Sequence, residues 1–258
     1  MSRFFDAMNK STMPSLFARY LDRWVFRRFG YTLRLLPHPT PPLEPWWTDR
    51  EFLELWGHVA DRTRVEPPSA YMLRQLVTHS RGLGGEIAEV GSYRGGSAYL
   101  LAVDGDRWVH VFDTFAGMPE TDPRWDHFRQ GDFGDTSLQE VRDFLAPLPH
   151  VTLYPGVFPD TAGPIGDKRF GLVHVDVDIH QSVLECCRFF YPRLVPGGIL
   201  VFDDYGFPKC PGAKKAVDEF FLDLPETPLY TASGQAIVVR RPWMGLISTG
   251  SRDSDHGI

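Results

Sequence analysis

Two apolar runs in this chain stop at acidic residues. FGLVHVDV (170–177) contains Asp176 and leads directly into Asp178, while ILVF (199–202) runs into Asp203-Asp204. Both runs are apolar on successive residues, the pattern of strands covered on both faces. Between them Val183, Cys187, Phe190, Tyr191 and Leu194 recur at helical spacing, and Pro196-Gly197-Gly198 is expected to break that helix. A strand–helix–strand crossover makes its strands parallel and usually adjacent, so both carboxyl ends share one sheet edge. Asp176, Asp178, Asp203 and Asp204 are therefore expected to converge. Carboxylates so placed repel one another, and a hard divalent cation (magnesium, calcium or manganese) would relieve that repulsion through oxygen ligands. The plain alternative is one helix-capping aspartate among solvated loop residues. Two acidic strand ends across one crossover favour the metal.

A second constellation lies upstream. EIAEVG (86–91) reads as a strand that ends in Glu89-Val90-Gly91-Ser92-Tyr93-Arg94-Gly95-Gly96-Ser97 before a helix. Glycines let a ligand approach the backbone there, and the helix start offers free N–H groups. The spacing is not G-x-G-x-x-G, so the nicotinamide fingerprint fails. Glu89 would repel a pyrophosphate but suits a cationic ligand end, such as the ammonium of S-adenosylmethionine. Asp113 closes the next strand, 22 residues after Gly91, where a carboxylate can hold ribose hydroxyls. Gly156 and Phe158, after a third strand, are placed to border an adenine.

These residues need a scaffold. From Gly85 onward, strands alternate with helices: EIAEVG, WVHVFD, VTLYPG, FGLVHVDV, ILVF, then PLYTA and QAIVVR. Seven strands in this pattern predict an α/β fold with a doubly wound, mainly parallel sheet and ligands at its carboxyl edge. Ser137-Leu138-Gln139-Glu140 is a capping box that opens one of the helices. Thr114–Thr136 reads as a polar insert.

Residues 1–37 form a distinct basic segment, with arginines beside an apolar stripe of Leu16, Phe17, Tyr20, Leu21, Trp24, Val25 and Phe29. A helix packed on the domain or on a dimer mate is the favoured reading, with peripheral membrane contact as the alternative. Residues 38–84 are expected as a proline-rich linker and helical lid, 85–242 as the catalytic domain, and 243–258 as a loose tail.

The net charge of −6 argues against nucleic acid as a partner. Cys186, Cys187 and Cys210 have no metal-type spacing, and a reduced cytoplasmic protein is expected. No apolar run reaches membrane-span length, and the N-terminus lacks a signal-peptide core.

GEIAEVGSYRGGSA, HVFDTFAGMPETDP, HVDVDIHQSVLE, VPGGILVFDDYG and the closing GQAIVV resemble the macrocin-type O-methyltransferases, from about Val65 to Arg240. Those enzymes use S-adenosylmethionine and magnesium to methylate sugar hydroxyls of antibiotics. The resemblance implies metal ligands at Asp176, Asp203 and Asp204, and a catalytic base at Asp178. It also implies cofactor contacts around Glu89–Ser97, including Gly91, Ser92, Gly95 and Ser97, and at Asp113. His180 departs from the family pattern, where tyrosine is more usual, and is expected as a second candidate base. The expected reaction is methyl transfer to a hydroxyl, with a small-molecule glycoside as acceptor. The rivals are a glycosyltransferase using Asp176-Val177-Asp178, a catechol-type methyltransferase, and a non-catalytic scaffold.

Overall fold

The computed structural model describes residues 44–242. The basic extension (1–37) and the tail (243–258) lie outside the described residues. Helix α1 (Arg50–Val59) begins where the Asp49 carboxylate accepts the Phe52 N–H at 3.1 Å. Helix α2 (Pro67–Ser80) opens on two prolines, at positions whose N–H groups no helix bond needs. Strand β1 (Glu86–Val90), helix α3 (Gly96–Ala102) and strand β2 (Val109–Asp113) follow. Helix α4 (Leu138–Leu145) starts at Ser137, whose hydroxyl accepts the Glu140 N–H at 3.2 Å, as its capping box predicts.

Strands β3 (Val151–Pro155) and β4 (Phe170–Val175), helix α5 (His180–Phe190), strand β5 (Leu194–Phe202) and helix α6 (Pro211–Phe221) complete the alternation. Strands β6 (Leu229–Tyr230) and β7 (Ala236–Val239) close the sheet. The strand order is β3-β2-β1-β4-β5-β7-β6, with β1 to β5 parallel and β7 antiparallel to both neighbours.

The Pro196-Gly197-Gly198 segment does not end the helix. Helix α5 stops at Phe190, and β5 already pairs at Leu194. Pairing then jumps from Phe170↔Leu194 to Leu172↔Ile199, so the Pro-Gly-Gly stretch is a bulge inside the strand.

Each central strand feeds two cores, which explains the unbroken apolar runs. Ala88, Val90, Val173, Val175, Leu200 and Phe202 pack against Val183, Phe190, Ala216 and Phe221 of α5 and α6. Ile87, Val109, Val111, Leu172, Ile199 and Val201 face Phe52, Val59, Leu73, Val77, Leu101 and Val141. Helices α1 and α2, expected as part of a lid, thus build one core layer. The segment that joins them supplies Thr63, Arg64 and Glu66 to a cavity wall.

Strand order reverses between β1 and β4, and a crevice opens at their carboxyl ends. Gly91 makes that junction possible. Its φ is +85°, and a Cβ there would lie 1.7 Å from the Asp176 carbonyl oxygen. Gly91→Ala is expected to destabilise the fold by about 3 kcal/mol or more, because strain and backbone overlap add. Chemical denaturation measures this; an unchanged midpoint would mean that the strands separate without cost.

Candidate active site

The crevice widens into a cavity of about 770 Å³. Gly91, Ser92, Ser97, Asp113, Gly156 and Phe158 line it together with Asp176, Asp178, Asp203 and Asp204. These are two of the constellations singled out in the sequence, now in one space. Glu89, Gly95 and His180 are not among the residues lining it.

The four aspartates converge as the crossover argument requires. Carboxylate oxygens of Asp176, Asp203 and Asp204 lie within 4.8 Å of one another. Asp203 and Asp204 are 5% and 7% exposed, at the start of the short turn Asp203–Gly206. Asp178 follows β4 in a left-handed backbone conformation (φ +58°), which Asp tolerates better than most residues. That twist aims the Asp178 N–H at Asp204 Oδ2, 2.8 Å away. The Cys210 thiol, at the start of α6, donates to Asp178 Oδ1 at 3.4 Å and Asp204 Oδ1 at 3.6 Å.

Burial, and then the neighbouring charges of Asp204 and Asp203, raise the Asp176 carboxyl well above the ordinary carboxylate range. Burial, then Asp178 and Asp203, does the same to Asp204. Burial pushes Asp178 up to about 6, even against the lowering hydrogen bond from Cys210. An oxygen-only cluster short of positive charge fits a hard divalent cation such as magnesium, held by Asp176, Asp203 and Asp204.

The counter-charge in this region comes from His174. Its imidazole is fully buried, with Nδ1 3.0 Å from Glu89 Oε1 and Nε2 3.6 Å from Asp203 Oδ1. Burial alone would lower its pKa, but the Asp203 and Glu89 carboxylates outweigh burial and raise it to about 10. Glu89 therefore does not reach into the cavity as the sequence suggested. Its register partner on β4 is His174, so both side chains fall on the same pleat of the sheet. Glu89 Oε2 and His174 Nε2 stay buried without a hydrogen-bond partner, as does Ser92 Oγ in the glycine turn. Ser92 lines the cavity, so its unpartnered Oγ could take a donor such as a ligand's ammonium group.

Gly95 is also set apart. It caps α3 at φ +86°, and a Cβ there would press on Val141 and Phe144, so it serves packing. His180 opens α5 on the far side of the insert. Its Nε2 lies 2.8 Å from Glu219 Oε2, and its ring lies against Trp125. The structure gives it no part in the acidic cluster.

Asp113 is more heavily engaged than its position alone suggested. Oδ2 accepts the N–H groups of Ser92 (2.7 Å) and Tyr93 (2.9 Å), and Oδ1 that of Phe115 (2.7 Å). The carboxylate thereby pins the glycine turn, with lone pairs left for a ligand.

The insert after β2 was legible only as polar, yet it builds a wall from Met118, Phe128 and Phe133. Buried Asp126 within it accepts the His180 N–H at 2.9 Å and so caps α5. Its aromatic residues were the available signal. Phe207, Pro208 and Lys209 line the opposite wall, and nothing in their spacing marked them.

A seven-stranded sheet in this order, with a glycine turn after β1 and an acidic crevice at the switch point, defines the class I methyltransferase fold. The chain belongs to the macrocin O-methyltransferase (TylF) family, whose profile matches residues 72–225, more than half its length. It is 31% identical over 160 residues to mycinamicin III 3''-O-methyltransferase of Micromonospora griseorubida, covering 54% of this chain and 61% of that protein. It is also 31% identical over 169 residues to demethyldecarbamoylnovobiocin O-methyltransferase of Streptomyces niveus, covering 57% and 63%. The match thus spans about three fifths of these relatives' lengths. Among solved structures, the O-methyltransferase NovP superposes with a TM-score of 0.60 at 26% identity, over 70% of this chain and 83% of that one. The calicheamicin methyltransferase CalS11 shares the fold over 92% and 95%, with a TM-score of 0.59 at 17% identity.

Proposed function

We propose that residues 85–242 transfer a methyl group from S-adenosylmethionine to a hydroxyl of a sugar carried by a small-molecule natural product, assisted by magnesium. The observation that carries this reading is one cavity lined both by the glycine turn and Asp113 and by four aspartates. The sugar acceptor is supported by a further relative, 30% identical over 146 residues, which methylates a rhamnosyl tetracenomycin in Streptomyces olivaceus. Family membership argues against the glycosyltransferase alternative.

When bound, S-adenosylmethionine supplies an activated methyl and magnesium lowers the pKa of a hydroxyl it holds. Asp176, Asp203 and Asp204 would hold the cation. Ser92, Asp113, Gly156 and Phe158 would hold the cofactor, with Gly91 and Ser97 shaping the turn beneath it. Asp178 Oδ2, which the Cys210 thiol leaves free, would take the acceptor's proton as its oxygen takes up the methyl group. Met118, Phe128 and Phe133 would keep water from the reacting atoms. A cytoplasmic homodimer is the setting we propose; no helix among the described residues is long and apolar enough to cross a membrane.

Calorimetry with S-adenosylhomocysteine tests the cofactor half. Asp113→Ala is expected to weaken binding by about 1.5–3 kcal/mol, the scale of hydrogen bonds to a charged group. Its three stranded backbone donors should also lower the melting temperature, so circular dichroism must first establish that the variant is folded. A folded variant with unchanged affinity would place the cofactor elsewhere.

A further inference from the structure

The closing GQAIVV motif has no part in the scheme above, yet it reaches the acidic cluster. Gln235, just before β7, is fully buried, and its amide Nε2 donates to Asp203 Oδ1 at 2.7 Å. The same oxygen faces His174 Nε2 at 3.6 Å. The amide is itself held: the Ser233 hydroxyl donates to Gln235 Oε1 at 3.2 Å, and Nε2 also lies 3.5 Å from the Ser69 carbonyl. That carboxylate oxygen therefore takes the amide's hydrogen bond and sits beside the buried imidazole, whose Nε2 makes no hydrogen bond.

We infer that Gln235 is a positioning residue for the cation site: its amide occupies Asp203 Oδ1 and leaves Oδ2 to ligate. This inference rests on the reading of Asp203 as a cation ligand. A buried carboxylate with both oxygens free could rotate or bind through two oxygens. Holding one oxygen fixes the other, and partners of this kind commonly change metal affinity by 10–100-fold. The cation site would then depend on the turn between β6 and β7, 32 residues beyond Asp203 in the chain.

The test is calorimetric titration of the full chain with magnesium chloride, repeated with manganese by electron paramagnetic resonance. Gln235→Met keeps the side-chain length and removes the donor. It is expected to weaken magnesium binding about tenfold or more, with S-adenosylhomocysteine affinity within about twofold of the parent. In turnover, the magnesium concentration for half-maximal rate should rise while the rate at saturating magnesium stays near that of the parent. Ser233→Ala, which only loosens the amide, should give a smaller shift in the same direction and guards against misfolding of the first variant. A melting temperature that falls while magnesium affinity stays unchanged would reduce Gln235 to a structural role and overturn the inference. If the parent chain binds neither cation, the cation reading itself fails, which the parent titration reveals separately.

Discussion

Asp178→Asn is expected to lower turnover by roughly 10²–10⁴-fold, the usual scale for losing a general base, while magnesium and S-adenosylhomocysteine still bind. Asp178 lies beside the other three aspartates but groups with Asp204 and Cys210, not with Asp176 and Asp203. Asp176, Asp203 and Asp204 bring their oxygens within 4.8 Å of one another. The left-handed backbone at Asp178 turns its N–H to Asp204, and the Cys210 thiol contacts both carboxylates. A pKa raised to about 6 by burial suits a group that must accept a proton near neutral pH. Asparagine keeps the shape and an acceptor for the Cys210 thiol but cannot take the proton. Rescue of Asp178→Asn by excess magnesium would make Asp178 a ligand and move the base elsewhere. Full activity would leave the proton to solvent, because His180 is held at Glu219.

Magnesium is expected to stabilise the chain more at pH 8 than at pH 5.5. Asp176, Asp178 and Asp204 have folded-state pKa values above the unfolded value of 3.8. Raised carboxylates contribute stability that is full below the unfolded pKa and is lost as pH rises through the folded one. In chelator-treated protein that loss should therefore run from about pH 4 past the Asp178 value of about 6. A bound cation favours the ionised forms and removes the loss. At a free concentration one hundred times the dissociation constant it adds about 2.7 kcal/mol. Thermal melts across pH, with magnesium and with chelator, measure the difference. It should widen with pH and shrink sharply in Asp203→Asn. A difference flat across pH would mean that the acidic cluster is not where magnesium acts.

The sequence carried the crossover and its aspartates because strand period and strand-end chemistry are local properties. An apolar run that stops at Asp176, and another that stops at Asp203, leave few ways to arrange a parallel pair. Asp113 and the glycine turn were legible for the same reason. Side-chain direction was harder. Glu89 could be placed at the end of β1, but its pleat and its partner on β4 depend on register between strands 85 residues apart. The bulge at Pro196-Gly197-Gly198 depends on the same register, and helix-breaking chemistry alone pointed to the wrong boundary. His180 was judged by chain proximity to Asp178, yet the first turn of α5 carries it outward to Glu219. The Met118, Phe128 and Phe133 wall and the Gln235 contact come from loops, whose destinations no periodicity encodes.

The central claim is that one cleft holds both a nucleoside sulfonium cofactor and a divalent cation. A crystal grown with S-adenosylhomocysteine and manganese tests it most directly, because manganese is located by its anomalous scattering. An anomalous peak is expected among Asp176, Asp203 and Asp204, with the ribose of S-adenosylhomocysteine at Asp113 and its amino-acid end by Ser92. A peak elsewhere, or a cofactor lying outside the cavity lined by Asp113 and Asp176, would contradict it.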